Sequence, residues 1–595
     1  MKKKINKIWM IIPALSGAVL FNACNKSFLD QSAKGALSPD LLPTKTVLQA
    51  LLAGAYAALD GQGAGNNAIA GGAPWEASPS NWIYGSVAGG DSHKGSSLGD
   101  QPPIVPIATA QEDPSNGFFN TKWKALYEGI ARCNAVLKTV PQTPNLTATD
   151  RVNIANEARF LRGHYYFELK KFFNMVPWID ETTTDFNQPN DKDIWPMIEK
   201  DFKAAADSLG DKAPTAGQAN KWAAKCYLAK TYVYEKKWTE AEALFEEIGA
   251  GGMTSTGLAY GLTDRFEDQF DAATKNNKET VFDIQMTAND GTNSIANANG
   301  GDMLNFPYNS PFRCCGFYQP SIDLSNSYRT DASGLPYLDD YNSHPVKNDM
   351  GVISEGDQGG APFTPDADPL DPRIDWTIGR RGIPLHDWGN HPGSHWIRDQ
   401  ASAGPFANKK NLYWQATAGT YSDQSTWAPG SAINIHIIRY ADVLLLWAET
   451  QAQLGNLSGA LEHVNDVRKR AALPVNFLKT YADPANPMGG FSGTNAANYV
   501  IAPYASFPSQ DYALKAIRFE RKLELACEGQ RFFDLVRWGI AETTMNAYYA
   551  YEGQITGDLP GGHFTAGKNE YFPIPQIQID LVGKAKLKQN PNYPQ

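Results

Sequence analysis

Hydrophobic positions recur every three to four residues over several long stretches of this chain, the spacing that lines one face of a helix. The longest stretch runs from Asp511 to Gly539, where Ala513, Leu514, Ile517, Leu525, Phe532 and Leu535 are interleaved with charges. It predicts one helix, or two joined near Gly529. Glu520, Glu524 and Glu528 follow one another by four, while Arg521 with Glu524 and Arg531 with Asp534, three apart, can pair across a turn. Further helical patterns cover Leu41 to Leu59, Trp123 to Val140, Arg151 to Asn174, Asp193 to Leu209 and Asn220 to Glu235. Between Gly251 and Gly430 the helical period fades into Gly, Pro, Asn and Asp clusters, and Thr280 to Met286 is the strand candidate. Long loops carried on a helical body are where recognition residues concentrate.

The helix ending at Glu235 begins a paired pattern. Ala224, Leu228, Ala229 and Tyr232, a turn at Lys237-Trp238, then Ala241 and Phe245 approximate the tetratricopeptide template of two helices with small residues at their contact, although Ala229 stands where the template prefers Gly. A similar pair follows at Ala448, Ala452, Leu454-Gly455, Ala460 and Val464. Stacked pairs of this kind build curved scaffolds.

The N-terminus has a different pattern. Lys2, Lys3, Lys4 and Lys7 precede an apolar run from Ile8 to Phe21, which stops at Asn22-Ala23-Cys24. The run is short of the roughly 20 apolar residues a membrane span needs, and it has the layout of a secretory signal. A cysteine after a small residue at its end resembles a bacterial lipobox, with Phe21 in place of the usual leucine, and marks Cys24 as the acylated first residue of the mature chain. Residues 1-23 are read as the lipoprotein signal peptide. No later stretch reads as a transmembrane helix: Val443 to Ala448 is apolar but short, and Asp442 and Glu449 flank it.

Removing the signal takes four lysines from a formal charge of -10 and leaves -14. So acidic a chain is ill suited to nucleic acid, which demands concentrated Lys and Arg. Of six cysteines, Cys133, Cys226 and Cys527 fall in helical patterns and read as small buried residues. Adjacent Cys314 and Cys315 either form a disulfide or stay reduced, and no disulfide framework or metal-type spacing appears.

Candidate chemistry concentrates in the loops. Trp376, Trp388, Trp396, Trp414 and Trp427 place five of the 15 tryptophans within residues 372 to 427. A sugar offers an apolar C-H face and a rim of hydroxyls, so it suits an aromatic plate flanked by amide, carboxylate or guanidinium groups. Loops that combine these types give the candidate ligand contacts: Trp75, Trp82, Tyr84, Trp388 and Trp396, with Asp91, Asn390 and Arg398 as polar partners. Phe312, Phe317 and Tyr318 are placed on the same surface, and Asp91 with His93 is a pair suited to ligand or calcium. Catalysis finds less support. Gly95-Ser96-Ser97-Leu98-Gly99 fits a nucleophile-elbow pattern, but a polar loop is expected before it and Pro102-Pro103 follow. Glu520, Glu524 and Glu528 lie along one helix as structural partners of Arg and Lys, not across a cleft as a glycosidase pair must. His386, His391 and His395 cluster, but Pro392 and Gly393 interrupt any spacing that would aim them at a metal, so no metal or cofactor is expected.

Several of these stretches match a known pattern in order. Glu520-Arg521-Lys522, Glu524-Leu525, Glu528-Gly529, Arg531, Phe533-Asp534-Leu535 and Arg537-Trp538 closely resemble the C-terminal signature of the SusD/RagB family, the surface lipoproteins of glycan-uptake systems. Ile437 to Gly455 with the segment that follows, and Tyr571 to Asp580 with the final Asn-Pro-Asn-Tyr-Pro, are further matches; Asn81 to Gly85 with Gly89 to Gly95 and Gln319 to Asp331 resemble it too. The resemblance implies a mainly α, SusD-like fold with tetratricopeptide-like helix pairs and long loop-rich insertions. It implies an N-terminal SusD-like helical region over 24-250 and a C-terminal RagB/SusD region over 281-595, whose part 281-430 holds ligand-binding loops and whose part 431-595 is helical. It also implies a non-catalytic lipoprotein, anchored through Cys24 to the surface of the outer membrane, that captures oligosaccharides for a SusC-like TonB-dependent transporter. The alternatives are a peptide or glycopeptide receptor of the same build and a surface glycoside hydrolase.

Overall fold

The computed structural model describes residues 43–63, 67–292 and 295–594; the signal segment and Cys24 lie outside the described residues. The helical patterns form helices within a few residues of where the periodicity places them: α1 (Lys45–Ala57), α2 (Gly117–Thr139), α3 (Ala148–Phe173), α4 (Trp195–Ser208), α5 (Lys221–Tyr234) and α6 (Trp238–Gly251). After the loop-rich middle come α7 (Tyr440–Gln453), α8 (Leu457–Ala471), α9 (Gln510–Glu524), α10 (Arg531–Arg537), α11 (Ala541–Glu552) and α12 (Gln576–Val582). Side-chain caps set many of the starts: Thr44, Asn116, Thr147, Asn220, Asn456 and Ser509 each accept a backbone N–H of the first turn. Among the described residues no helix is long and apolar enough to cross a membrane.

Each helix from α2 through α6 packs on the next, and α7 then packs on α6 and against α8 and α9. The two expected pairs are α5–α6 and α7–α8, and small residues at their contacts let the helices approach: Ala224, Ala229 and Ala241 in the first, Ala448, Ala452 and Ala460 in the second, are all buried. Because α3 lies between neighbours, it is buried nearly all round, with Phe160, Tyr165, Tyr166, Phe167 and Phe172 in the core. Phe202 of α4 stacks on Tyr227 of α5 at 4.5 Å. Across the chain's two halves, Asp442 of α7 accepts from Lys230 of α5 at 2.9 Å and from Arg521 of α9 at 2.7 Å.

Short antiparallel pairs tie the loops to this body. β1 (Ser92–Gly95) pairs with β3 (Phe317–Pro320), and β2 (Thr280–Ile284), the expected strand, pairs with β4 (Ile435–Arg439).

The signature stretch is two helices, as its pattern allowed, but its charges pair differently. Arg521 reaches Asp534 at 2.8 Å and Asp442, not Glu524; Asp534 also takes Arg537 at 2.8 Å, not Arg531. The chain turns between α9 and α10, which folds Asp534 back onto Arg521 and frees Glu524 for longer-range partners. Glu524 accepts from Arg373 at 2.9 Å, from Arg439 at 2.7 Å and from Arg470. Glu520 accepts from Arg373 at 2.7 Å and Arg468 at 2.8 Å, and Glu528 from Arg439 and Lys410. Glu520, Glu524 and their arginines are buried, and Glu528 is nearly so. Burial pushes the Glu524 carboxyl up, but the three guanidiniums outweigh it and hold it well below the ordinary carboxylate range. Glu520, Glu524 and Glu528 are therefore structural, as expected. At the turn, Gly529 has φ of 70°, and a Cβ there would fall on the carbonyl of Ser80. A Cβ on Gly85 would in turn fall on the carbonyl of Gly529, so the two motif segments touch backbone to backbone.

Candidate functional site

Burial divides the expected contacts. Trp82, Tyr84 and Asp91 are 0%, 1% and 1% exposed, which corrects their placement on a ligand surface. Asn81 to Gly85 reads as a Gly-flanked surface loop but forms a π-helical turn, Trp82–Val87, pressed under the α9–α10 turn. The Trp82 indole donates to the Gly301 carbonyl at 3.2 Å and packs on Phe317 and Tyr318; the Tyr84 hydroxyl donates to the Glu76 carbonyl at 2.9 Å among Phe119, Phe172 and Phe572. Asp91 accepts the Cys527 backbone N–H at 3.3 Å, and burial raises its carboxyl to about 6. Phe312, Phe317 and Tyr318 are core residues as well.

The pair Asp91–His93 offers nothing to a ligand or to calcium. His93 is enclosed between Glu552 at 2.9 Å and Asp558 at 2.9 Å. Its burial pulls the imidazole down, but the two carboxylates outweigh that and hold it up at about 10. The three loop histidines do not converge: His386 is buried against Trp414, His391 is buried, and His395 is exposed beside Asp357. Among the described residues no group of three or more His, Cys, Asp or Glu could hold a metal ion. Ser97 follows the short strand β1 rather than a polar loop, and its carbonyl accepts from Lys94 at 2.7 Å.

Of the five clustered tryptophans, Trp376 is core, with its indole donating to the Asn476 carbonyl at 2.7 Å. Trp388, Trp396 and Trp414 are half-buried. Trp388 and Trp396 flank a small separate core of Phe306, Phe312, Leu385, Leu412 and Tyr413, and the Trp388 indole donates to the Tyr413 carbonyl at 2.8 Å. Asn390 is exposed beside Gly389, whose N–H donates to Tyr481 of the hairpin at 479–495. Trp427 stands out at 49% exposed.

From Trp427 a closed circuit of contacts runs through five segments of the chain. Its ring lies edge-on to Trp75 at 6.4 Å. The Trp75 indole donates to Gln101 at 3.1 Å, and next to Gln101, Asp100 accepts from Arg398 at 2.6 Å. Arg398 also donates to Ser96 at 2.7 Å and lies over the Tyr308 ring at 5.3 Å. Tyr308 abuts Gly316, and two residues before Gly316 begins the disulfide between adjacent Cys314 and Cys315. Arg313, at φ of 77°, precedes it and donates to the Thr426 carbonyl at 3.1 Å, which returns the circuit to Trp427. Asn309 extends the edge toward His395 at 3.3 Å. Trp427, Tyr308, Asn309, Arg313 and Arg398 are exposed, and Gln101 and Asp100 half-buried.

This ring takes in two of the sequence candidates, Trp75 and Arg398, with Trp396 two residues before Arg398. Trp75 itself is only 9% exposed and backs the ring rather than presenting a face. Trp388 packs on Phe312 just behind Arg313, at 4.6 Å between ring centres, and Asn390 lies outside the circuit. Tyr308, Arg313, Asp100 and Gln101 went unremarked in the sequence. The signals for it in the sequence were the aromatic and polar loop composition that picked out Trp75 and Arg398 and the density of tryptophan up to Trp427.

A model of the SusD family matches residues 278–593, more than half of the chain. The chain belongs to the SusD family. A second family model, described as starch-binding associating with outer membrane, matches residues 28–233. Among curated SusD-like proteins, one of Bacteroides ovatus is 24% identical over 45% of this chain and 48% of its own length, so the match spans about half of that relative. One of Formosa agariphila is 21% identical over 80% of this chain and 81% of its own length. Among solved structures, a laminarin-binding SusD-like protein aligns with a TM-score of 0.63 at 22% identity, covering 92% of this chain and 100% of that one. Surface glycan-binding protein A of Bacteroides thetaiotaomicron, solved with laminarihexaose, aligns at 0.63 with 20% identity over the same shares. The mainly helical SusD-like fold is thereby established for this chain.

Proposed function

We propose that this SusD-family protein is a non-catalytic glycan-binding lipoprotein whose ligand rests on the ring around Trp427. The observation that carries the reading is the exposed indole, framed by Tyr308, Arg313, Arg398, Asp100 and Gln101. Leaving about half of a tryptophan in water forgoes on the order of 2 kcal/mol of burial, which a sugar's C-H face recovers when it stacks there. The surrounding amide, carboxylate and guanidinium groups are the partners hydroxyls need. Asp100 is the one carboxylate in the circuit and is held by Arg398, so the ring lacks the facing acid pair of a glycosidase. Support also comes from the relatives, which are SusD-like and include proteins solved with or named for glycans. In this reading Cys24 carries the acyl anchor on the outer membrane, and a SusC-like TonB-dependent transporter receives the oligosaccharide. Trp388, Asn390 and Trp396 form the outlying part of the ligand surface.

Affinity electrophoresis of the mature protein through gels containing laminarin, starch, xylan and sulfated or uronate-rich polysaccharides tests the proposal. Retardation by at least one glycan, abolished in Trp427→Ala and without release of new reducing ends, is expected. Steady product formation lost on a single carboxylate substitution would mean a hydrolase instead.

A further inference from the structure

We infer that the ring around Trp427 is built for glycans that carry a negative group, a uronate carboxylate or a sulfate ester. This rests on the reading of the ring as the glycan site. The chain as a whole is acidic, yet the ring is locally positive. Arg398 is exposed but compensated, because Asp100 takes its guanidinium at 2.6 Å. Arg313 is exposed and uncompensated: its partners are the Thr426 carbonyl at 3.1 Å, the Gln424 carbonyl at 3.4 Å and the Gln424 side chain, all neutral. No carboxylate lies within ion-pair distance of it among the described residues. Beneath the ring, buried Lys94 likewise donates to neutral groups, the carbonyls of Gly95, Ser97 and Asp100, at 3.1, 2.7 and 2.7 Å. At the edge, His395 faces Asp357 at 3.3 Å.

The way Arg313 is held fits an anion receptor. A guanidinium has five N–H donors, and the three contacts it makes leave at least two free. Those three contacts fix it to the loop 424–426 that also carries Trp427, so one short segment presents the aromatic plate and the cation side by side. A sugar stacked on the indole would bring a carboxylate or sulfate substituent to the guanidinium's remaining N–H donors, where a charge-assisted hydrogen bond is roughly twice as strong as a neutral one. A neutral glycan would satisfy the stack but leave the excess charge unanswered.

Matched probes separate this from the broader reading. Titration calorimetry would compare oligogalacturonate with its methyl ester, and a sulfated galactan oligosaccharide with its desulfated form, in low and high salt. At least one charged probe is expected to bind about tenfold or more tighter than its neutral counterpart. That advantage should shrink as salt screens the exposed charge. Arg313→Gln should weaken the charged probe at least tenfold more than its neutral counterpart, so that the advantage disappears, and Arg313→Lys should keep part of it. Equal or tighter binding of the neutral members, dependent on Trp427, would overturn the inference and leave the glycan-binding reading standing. Failure of all four probes to bind overturns it too, and binding that survives Trp427→Ala would reject the ring as the site. The winning pair tells carboxylate from sulfate.

Discussion

The α9 signature network and the Trp427 ring use the same side chains to opposite ends. Around α9, four arginines and a lysine meet Glu279, Glu520, Glu524, Glu528 and Asp371 with almost no solvent, and nearly every charge has a charged partner. Around Trp427, the arginines are exposed, one of them has only neutral partners, and an indole faces water. The first arrangement is all but complete, with only the Arg470 Nε left without a partner among the described residues, and the second is not. A complete network specifies a fold; an incomplete one is where a ligand can be bound. The sequence features that identify the family therefore sit in the scaffold, while the features proposed to bind are in loops that carry none of its motifs.

The sharpest way to break the first half of that comparison is Glu524→Gln. It leaves Arg373, Arg439 and Arg470 buried with too few acceptors, and breaking such a network from one side costs about 3–5 kcal/mol, a large part of a typical 5–15 kcal/mol of stability. Urea unfolding should show the loss, and a midpoint unchanged from wild type would mean that the network is not needed. Gly529→Ala comes next. Its left-handed φ alone costs about 1–3 kcal/mol in a residue with a side chain, and the contact with Ser80 adds to that. The same unfolding curve, with glycan retention measured on the folded fraction, should show lowered stability and unchanged affinity.

A smaller, pH-dependent effect comes from His93. Its folded pKa is raised to about 10 by Asp558 and Glu552 acting against burial, from an ordinary 6.5. The folded state thus holds a proton that the unfolded state gives up. The stabilisation is fully present below about pH 6.5 and is lost as pH rises toward about 10. Lys122 and Lys409 act oppositely in part of this range, because burial lowers both to about 7 and their contribution improves as pH rises. The difference between wild type and His93→Gln isolates the histidine: it should be large at pH 6 and diminish by pH 10. A difference independent of pH would contradict the ion-paired histidine.

Much of the scaffold was legible in the sequence because helix periodicity is a local property: α2 to α6 and the two tetratricopeptide-like pairs follow from residue spacing. The charge partners of α9 were not, because i to i+4 spacing cannot see Arg373 or Arg439, which arrive from the loop region and from β4. Trp82 and Tyr84 were misread for a related reason. Their glycine-rich surroundings look like an exposed loop, whereas those glycines permit close backbone contact with the α9–α10 turn. The ring was barely visible, since Trp75 lies hundreds of residues before Arg398 and Trp427 in the chain, and exposure of one indole among 15 tryptophans cannot be read from composition.

The central claim is that recognition belongs to the open ring and not to the buried aromatic motif. It is tested most directly by measuring glycan affinity and unfolding midpoint together for Trp427→Ala, using whichever polysaccharide retards the wild type. The account predicts an affinity loss of tenfold or more, as for an aromatic hot spot of about 2 kcal/mol, with a midpoint close to wild type. Undiminished affinity in a folded Trp427→Ala protein would contradict it.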